Sequence, residues 1–223
     1  MAKELGRIQK PRLDGFKEGR KLYCVPLLPY SKDMQLPEEY DEKVSLYWQQ
    51  VADHVANLEN VGKVAHVFHE SVAVSGNDAV ELIKRINEKG HEFVAARVIA
   101  GAALQALEDT NLLDEYLDWS LCLSVVGRSL KVAQQVGGLQ AQAAENRDEH
   151  IAKTINGTLR KNEAGLLVMS DDSRIRIQPK ISSDIQIFLV HPPALNDVQR
   201  WLREYMLTRA KRDAGYHADE KKP

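Results

Sequence analysis

Apolar and polar positions fall into blocks along this chain, and the period of each block predicts its element. Leu22–Leu28, LYCVPLL, is a short apolar run with Tyr, Cys and Val, the profile of a buried strand. Pro26 places it at a sheet edge or ends its pairing early. From Glu38 to Glu59 the period changes to helical: Val44, Tyr47/Trp48, Val51, Val55 and Leu58 form one stripe, and Gly62 is a stop signal. Lys63–Val74, KVAHVFHESVAV, reads as a second strand, and strand–helix–strand at this spacing predicts a right-handed βαβ unit with parallel strands.

The middle of the chain reads as helical. Ser75 and Asn77 are candidate caps for a helix carrying Val80, Leu82/Ile83 and Ile86, closed by Lys89-Gly90. A further helix is expected over His91–Leu107, with Gly101-Ala-Ala103 allowing close helix approach. Glu108–Trp119 is acidic with Leu112, Leu113 and Leu117 as anchors; Leu121–Val126 reads as a short strand or a buried helix end. Arg128–Lys161 is mostly helical, with a break or kink expected at Gly137-Gly138. Its later turns place Ile151, Ile155 and Leu159 on one face.

Strand signals return near the end. Leu166–Met169 predicts a strand and Asp171–Ser173 a turn. Arg174–Gln178, RIRIQ, alternates as a half-exposed strand with Ile175 and Ile177 inward, and Asp184–Val190 reads as a central strand. After Pro192-Pro193 a helix carries Leu195, Val198, Leu202, Tyr205 and Met206, with Asn196 and Gln199 as a capping box. These elements predict an α/β fold: a mixed, mostly buried sheet of about 4–6 strands flanked by helices, with a helical layer inserted mid-chain. One domain is expected over 22–213, with a sub-boundary near 127–138, a flexible arm at 1–21 and a disordered tail at 214–223.

Composition narrows the function classes. The chain has 223 residues, 43% hydrophobic and 28% charged, with net charge −2. That balance argues against a general polyanion binder. No run approaches a membrane span, and the polar start lacks a secretory h-region, so a cytoplasmic protein with no membrane partner is expected. Cys24 and Cys122 lie in no metal or redox motif and read as two reduced, buried thiols. The phosphate-cradle and nucleophile-elbow motifs are absent; Gly137-Gly138 sits in a helical pattern, not after a strand.

Three constellations remain. His66-Val-Phe-His69-Glu70 has the wrong order for HExxH, but period two puts His66 and Glu70 on one face of a strand, as candidate catalytic residues. Glu108, Asp109, Asp114 and Asp118, with Glu115, form an acidic segment whose carboxylates are candidate ligands for Mg²⁺ or Mn²⁺; a solvated helix face is the alternative. Arg174, Arg176, Arg200 and Arg203 are candidate nucleic-acid contacts, the last two interleaved with Trp201 and Tyr205; core packing of those aromatics is the alternative.

Three stretches carry a resemblance: FHES at Phe68–Ser71, LEDTNLLDEYLDWSLCL at Leu107–Leu123, and NEAGLLVMSDD with DIQIFLVHPPALNDVQRWLRE from Asn162 to Glu204. From Phe68 onward the chain resembles a group of uncharacterised prokaryotic proteins, which implies no particular chemistry. It is more faintly similar to the later domains of archaeo-eukaryotic release-factor-like proteins, in which a helix leads into a buried strand. The chain has no Gly-Gly-Gln tripeptide, so peptidyl-tRNA hydrolysis is not implied.

Two functions follow as expectations. The first is a non-enzymatic protein acting through partners, with RNA or the ribosome as the class its Arg-bearing helix suggests. The second is a metal-assisted hydrolase or nuclease using His66 and Glu70 with an acidic residue from 108–118. Homo-oligomerisation is expected from Tyr47 and Trp48 as interface anchors.

Overall fold

A computed structural model describes residues 18–30 and 36–219, with side chains through 212. The elements, in order, are β1 (Arg20–Pro26), α1 (Glu38–Leu58), β2 (Val64–His69), α2 (Gly76–Ile86), α3 (Glu88–Ile99), β3 (Ala103–Leu104), α4 (Thr110–Val125), α5 (Leu130–Thr158), β4 (Ala164–Met169), α6 (Asp171–Ile177), β5 (Ile185–Leu189) and α7 (Pro193–Asp219). A 3-10 turn, Gln178–Lys180, follows α6.

The five strands form one parallel sheet in the order β3-β2-β4-β1-β5. Crossovers in such a sheet are right-handed, so connections running in opposite directions must cover opposite faces. β1 to β2 and β2 to β3 run one way; β3 to β4 and β4 to β5 run back. The core divides accordingly. Tyr23, Val25, Val67, Leu166 and Val168 pack with α1, α2, α3 and α7. Leu22, Cys24, Phe68, Leu167 and Met169 point to the other face, under Ile151 and Ile155 of α5 and Ile177 of α6. β4, at the sheet centre, is buried at all six residues. Gly165 there has no room for a side chain: an added Cβ would lie 2.9 Å from Phe68 and 3.0 Å from Leu159.

Several expectations change. β1 is central, between β4 and β5, and Pro26 merely ends it. β4 inserts between β1 and β2, so the expected βαβ pair is parallel without being adjacent. Gly101 (φ +100°) ends the turn after α3, and Ala103 opens the edge strand β3 rather than a helix contact. Of the two readings of Leu121–Val126 the helix end holds, since Leu121–Val125 closes α4, but it is exposed rather than buried; α5 runs unbroken through Gly137-Gly138. RIRIQ is helical, not a strand: Ile177 is buried while Ile175 is 58% exposed. β5 is an edge strand. Asn196 lies inside α7, whose start is held instead by Gln50 accepting from the Ala194 N–H at 3.0 Å.

Tyr47 and Trp48 are core residues, not interface anchors; the Tyr47 hydroxyl donates to the Pro26 carbonyl at 2.5 Å. Cys24 is buried, but Cys122 is exposed. Residues 1–17 of the expected arm and 220–223 of the expected tail lie outside the described residues, while 214–219 belong to α7.

Candidate functional site

Open parallel sheets bind ligands at the carboxyl ends of their strands, where neighbouring connections leave towards opposite faces. Here β4 leads to α6 on one face, while its neighbours β1 and β2 lead to α1 and α2 on the other. A crevice of about 450 Å³ opens there, lined by Leu28, Tyr30, His69, Ser71, Asn87 and Ser170, among others.

One of its lining residues, Glu70, belongs to a buried charge network. Glu70 directly follows β2 and is 8% exposed. Its carboxylate accepts from the Ser170 N–H at 2.7 Å, the Ser173 hydroxyl at 2.7 Å and Arg147 Nη2 at 3.2 Å. Burial alone would push this carboxyl up. The Ser170 N–H, the Ser173 hydroxyl and the Arg147 charge outweigh burial and hold it below the usual carboxylate range. Glu108, just after β3, takes the other side of Arg147: Nε donates to Oε2 at 2.9 Å, and Nη2 donates to Oε1. Burial acts against the guanidinium, yet the two carboxylates keep its pKa raised. Arg147 also lies 5.0 Å from the Tyr116 ring centre.

The backbone is shaped to fit this network. Ser71 takes a left-handed φ of +67°, and its N–H donates to Glu108 Oε1 at 3.0 Å. The Val72 carbonyl accepts from the Leu107 and Glu108 N–H groups, so the turn after β2 is fastened to the turn after β3. Beside it, His69 is fully buried. Its Nδ1 faces the Glu70 carbonyl at 2.6 Å, and its Nε2 faces the Asn87 side-chain nitrogen at 3.4 Å. Both contacts are satisfied by the neutral ring with its proton on Nδ1, and burial lowers its pKa to match.

His66 and Glu70 are not brought together. Four residues along an extended chain separate them, about 13 Å. His66 faces Gln105 at 3.0 Å and Glu163, which precedes β4, at 3.3 Å. The acidic segment splits in the same way. Glu108 is locked to Arg147, and Asp109 caps α4 by accepting from the N–H groups of Asn111 and Leu112. Asp114 and Asp118 lie exposed on α4. Among the described residues, no three His, Cys, Asp or Glu side chains form a metal-binding group. Arg174 and Arg176 pair with Asp171 at 3.2 Å and Asp148 at 2.8 Å, and Arg200 pairs with Asp197 at 2.7 Å. Arg203 is exposed on α7.

Sequence reasoning missed Arg147, Ser170, Ser173, His69 and Asn87. One signal was present: Arg147 stands four residues before Ile151 and four after Ala143, on the apolar stripe of α5. A charge on such a stripe predicts a buried partner.

The second feature of note is the α4–α5 hairpin. Not one of the 16 residues of α4 is buried. Leu117, Leu121, Leu123, Val125, Leu130, Val132 and Leu139 are all exposed along it. Apolar surface gathered this densely marks an interaction site far more often than scattered hydrophobes do. No family model, no curated protein and no solved structure matches the chain.

Proposed function

We propose that the protein acts by holding a partner on the α4–α5 hairpin, and that the buried Glu70–Arg147–Glu108 network serves to anchor that hairpin. The single observation that carries this reading is the exposed apolar run from Leu117 to Leu139 on a helix pair in which no residue of α4 is fully buried. Arg147 and Tyr116 link α5 and α4 to the strand ends, so the ridge is presented on a fixed support. No helix among the described residues is long and apolar enough to cross a membrane.

The RNA version has less support. Three of its four candidate arginines, Arg174, Arg176 and Arg200, are in ion pairs. On the hairpin itself Asp114, Glu115 and Asp118 would repel a phosphate backbone. The metal-assisted hydrolase built on His66 and Glu70 gains nothing from the geometry, since both groups are engaged with different partners. A cytoplasmic setting agrees with the free state of Cys24 and Cys122.

The test is the size of the full chain in extract of its own cells. The native chain should migrate well above its 25.1 kDa, and Leu117→Ser/Leu121→Ser should return it to monomer size with an unchanged melting temperature. Native chain and variant migrating alike would sink the reading.

The crevice supports a second reading, small-molecule binding, because it lies where open parallel sheets bind ligands and its lining is largely apolar with Ser71, Asn87 and Ser170 at hand. A panel of small amphipathic molecules should raise the melting temperature of the native chain but not of Ile86→Trp, which fills the crevice. No molecule separating the two proteins would remove this reading.

A further inference from the structure

The outward stripe of α4 reads Asp114, Leu117, Asp118, Leu121, Val125. Spacings of three and four put these residues on one helix face. All five are exposed: Leu117 by 52%, Leu121 by 65% and Val125 by 74%. Just beyond the helix, the turn into α5 carries Arg128, and Lys131 follows in the first turn of α5; both are exposed. The face is therefore acidic at its base, hydrocarbon in its middle and basic at its tip.

We propose that a second copy of this chain docks on this face, with α4 packed antiparallel on α4 about a twofold axis at Leu121. The inference rests on the reading of the hairpin as a docking surface and names its occupant. A twofold contact must be self-complementary: if residue i meets j, then j meets i. Leu121 as the centre satisfies this along the whole stripe. Leu117 and Val125 stand four residues to either side, so each meets the other across the axis. Asp114 stands seven residues before the axis, about 10 Å along the helix, and the turn that carries Arg128 lies just past the helix end on the other side, so acid and base come to the same end of the pair. A parallel arrangement would set Asp114 and Asp118 against their own copies, which costs stability. A polyanion would meet the same two carboxylates. Antiparallel self-docking alone covers the hydrocarbon and pairs the charge at each end.

Cys122 gives the register a direct reporter. It is exposed, one residue from the axis and on the flank of the stripe. Packed helices lie 8–10 Å apart, so the two Cys122 thiols would stand roughly 10 Å from each other on the same side of the pair. Cys24 is buried and does not compete for reagent.

The experiment measures the mass of the full chain across a concentration series. The native chain should dimerise, and a short bismaleimide should join two chains through Cys122. Leu121→Glu puts like charges on the axis and should weaken the dimer more than ~100-fold, while at concentrations where both chains are monomeric its melting temperature should match the native one, because Leu121 is exposed in the single chain. Asp114→Arg alone and Arg128→Asp alone should each weaken it. Mixing those two variants should restore a heterodimer, since each then offers the other its complement. A native chain that stays monomeric to several hundred micromolar overturns the proposal, as does a dimer indifferent to Leu121→Glu or charge variants that mixing does not rescue. If the purified chain is monomeric while its large species in extract still depends on Leu117 and Leu121, the second copy is wrong and the docking surface stands.

Discussion

Replacing Arg147 by methionine keeps the aliphatic stem and deletes the one cation between two buried carboxylates. Glu70 loses the guanidinium at 3.2 Å, and Glu108 loses a contact at 2.9 Å together with a second, shorter one. Removing one partner of a buried ion pair costs about 3–5 kcal/mol, because the charge left behind stays desolvated. The lower end applies here. Glu70 keeps its bonds from Ser170 and Ser173, and Glu108 keeps the Ser71 N–H. A loss of about 3 kcal/mol, at a urea slope of about 3 kcal/mol per molar, moves the unfolding midpoint down by about 1 M.

The pH dependence adds a sign. In the native protein Glu70 titrates below its unfolded value. Its stabilisation is therefore complete above about pH 4.3 and fades as the pH falls through the lower folded value. Deleting Arg147 withdraws one of the influences that lower it, so the variant binds a proton more readily when folded and loses less on acidification. The gap between native and variant should therefore hold down to about pH 4.3 and narrow below it, so that it is smaller at pH 3.5 than at pH 7.5. Urea unfolding of both proteins at the two pH values measures it. A midpoint shift below about 0.3 M at pH 7.5, or a gap that widens in acid, would refute the reasoning.

Three further outcomes are expected. Gly165→Ala drives a methyl into Phe68 and Leu159 at the sheet centre and should cost about 1–3 kcal/mol in urea unfolding; a neutral result would mean the central strand can shift. Gly138→Ala meets nothing within 4 Å inside a continuous helix and should stabilise by up to about 1 kcal/mol, whereas a loss would mean α5 is broken there. Cys122 should react with a thiol reagent in the native protein at neutral pH, while Cys24, whose thiol burial pushes up to about 12, should react only on unfolding; two thiols reacting together would contradict the burial of β1.

Where one face of an element is buried, local pattern was enough to identify it. The stripe of α1 and the apolar runs of β1 and β4 are properties of consecutive residues, and each emerges near its expected limits, whereas α2 ends at Ile86 with Lys89-Gly90 inside α3, and β2 stops at His69, five residues short. Pattern misled where two periods fit the same letters. RIRIQ alternates, yet Asp171 and Asp172 before it and Arg174 and Arg176 within it are the charge order that complements a helix dipole. Gly137-Gly138 read as a break or kink, but glycine costs a helix only about 1 kcal/mol per residue, too little to end one of 29 residues.

The order of strands was beyond local pattern altogether. β5 is as apolar as a central strand but lies at the edge, because hydrogen-bond partners are chosen by crossovers of the whole chain. The site shows the same divide. The types of Glu70, Glu108 and Arg147 are written in the sequence, and the place of Arg147 on the apolar stripe of α5 was a signal of its burial that the pattern reading passed over. That the three meet, across separations of 39 and 77 residues, was settled only when a parallel sheet brought the ends of β2 and β3 beneath α5. Burial then turned three ordinary surface residue types into one charge network, since only a desolvated charge must find its partner.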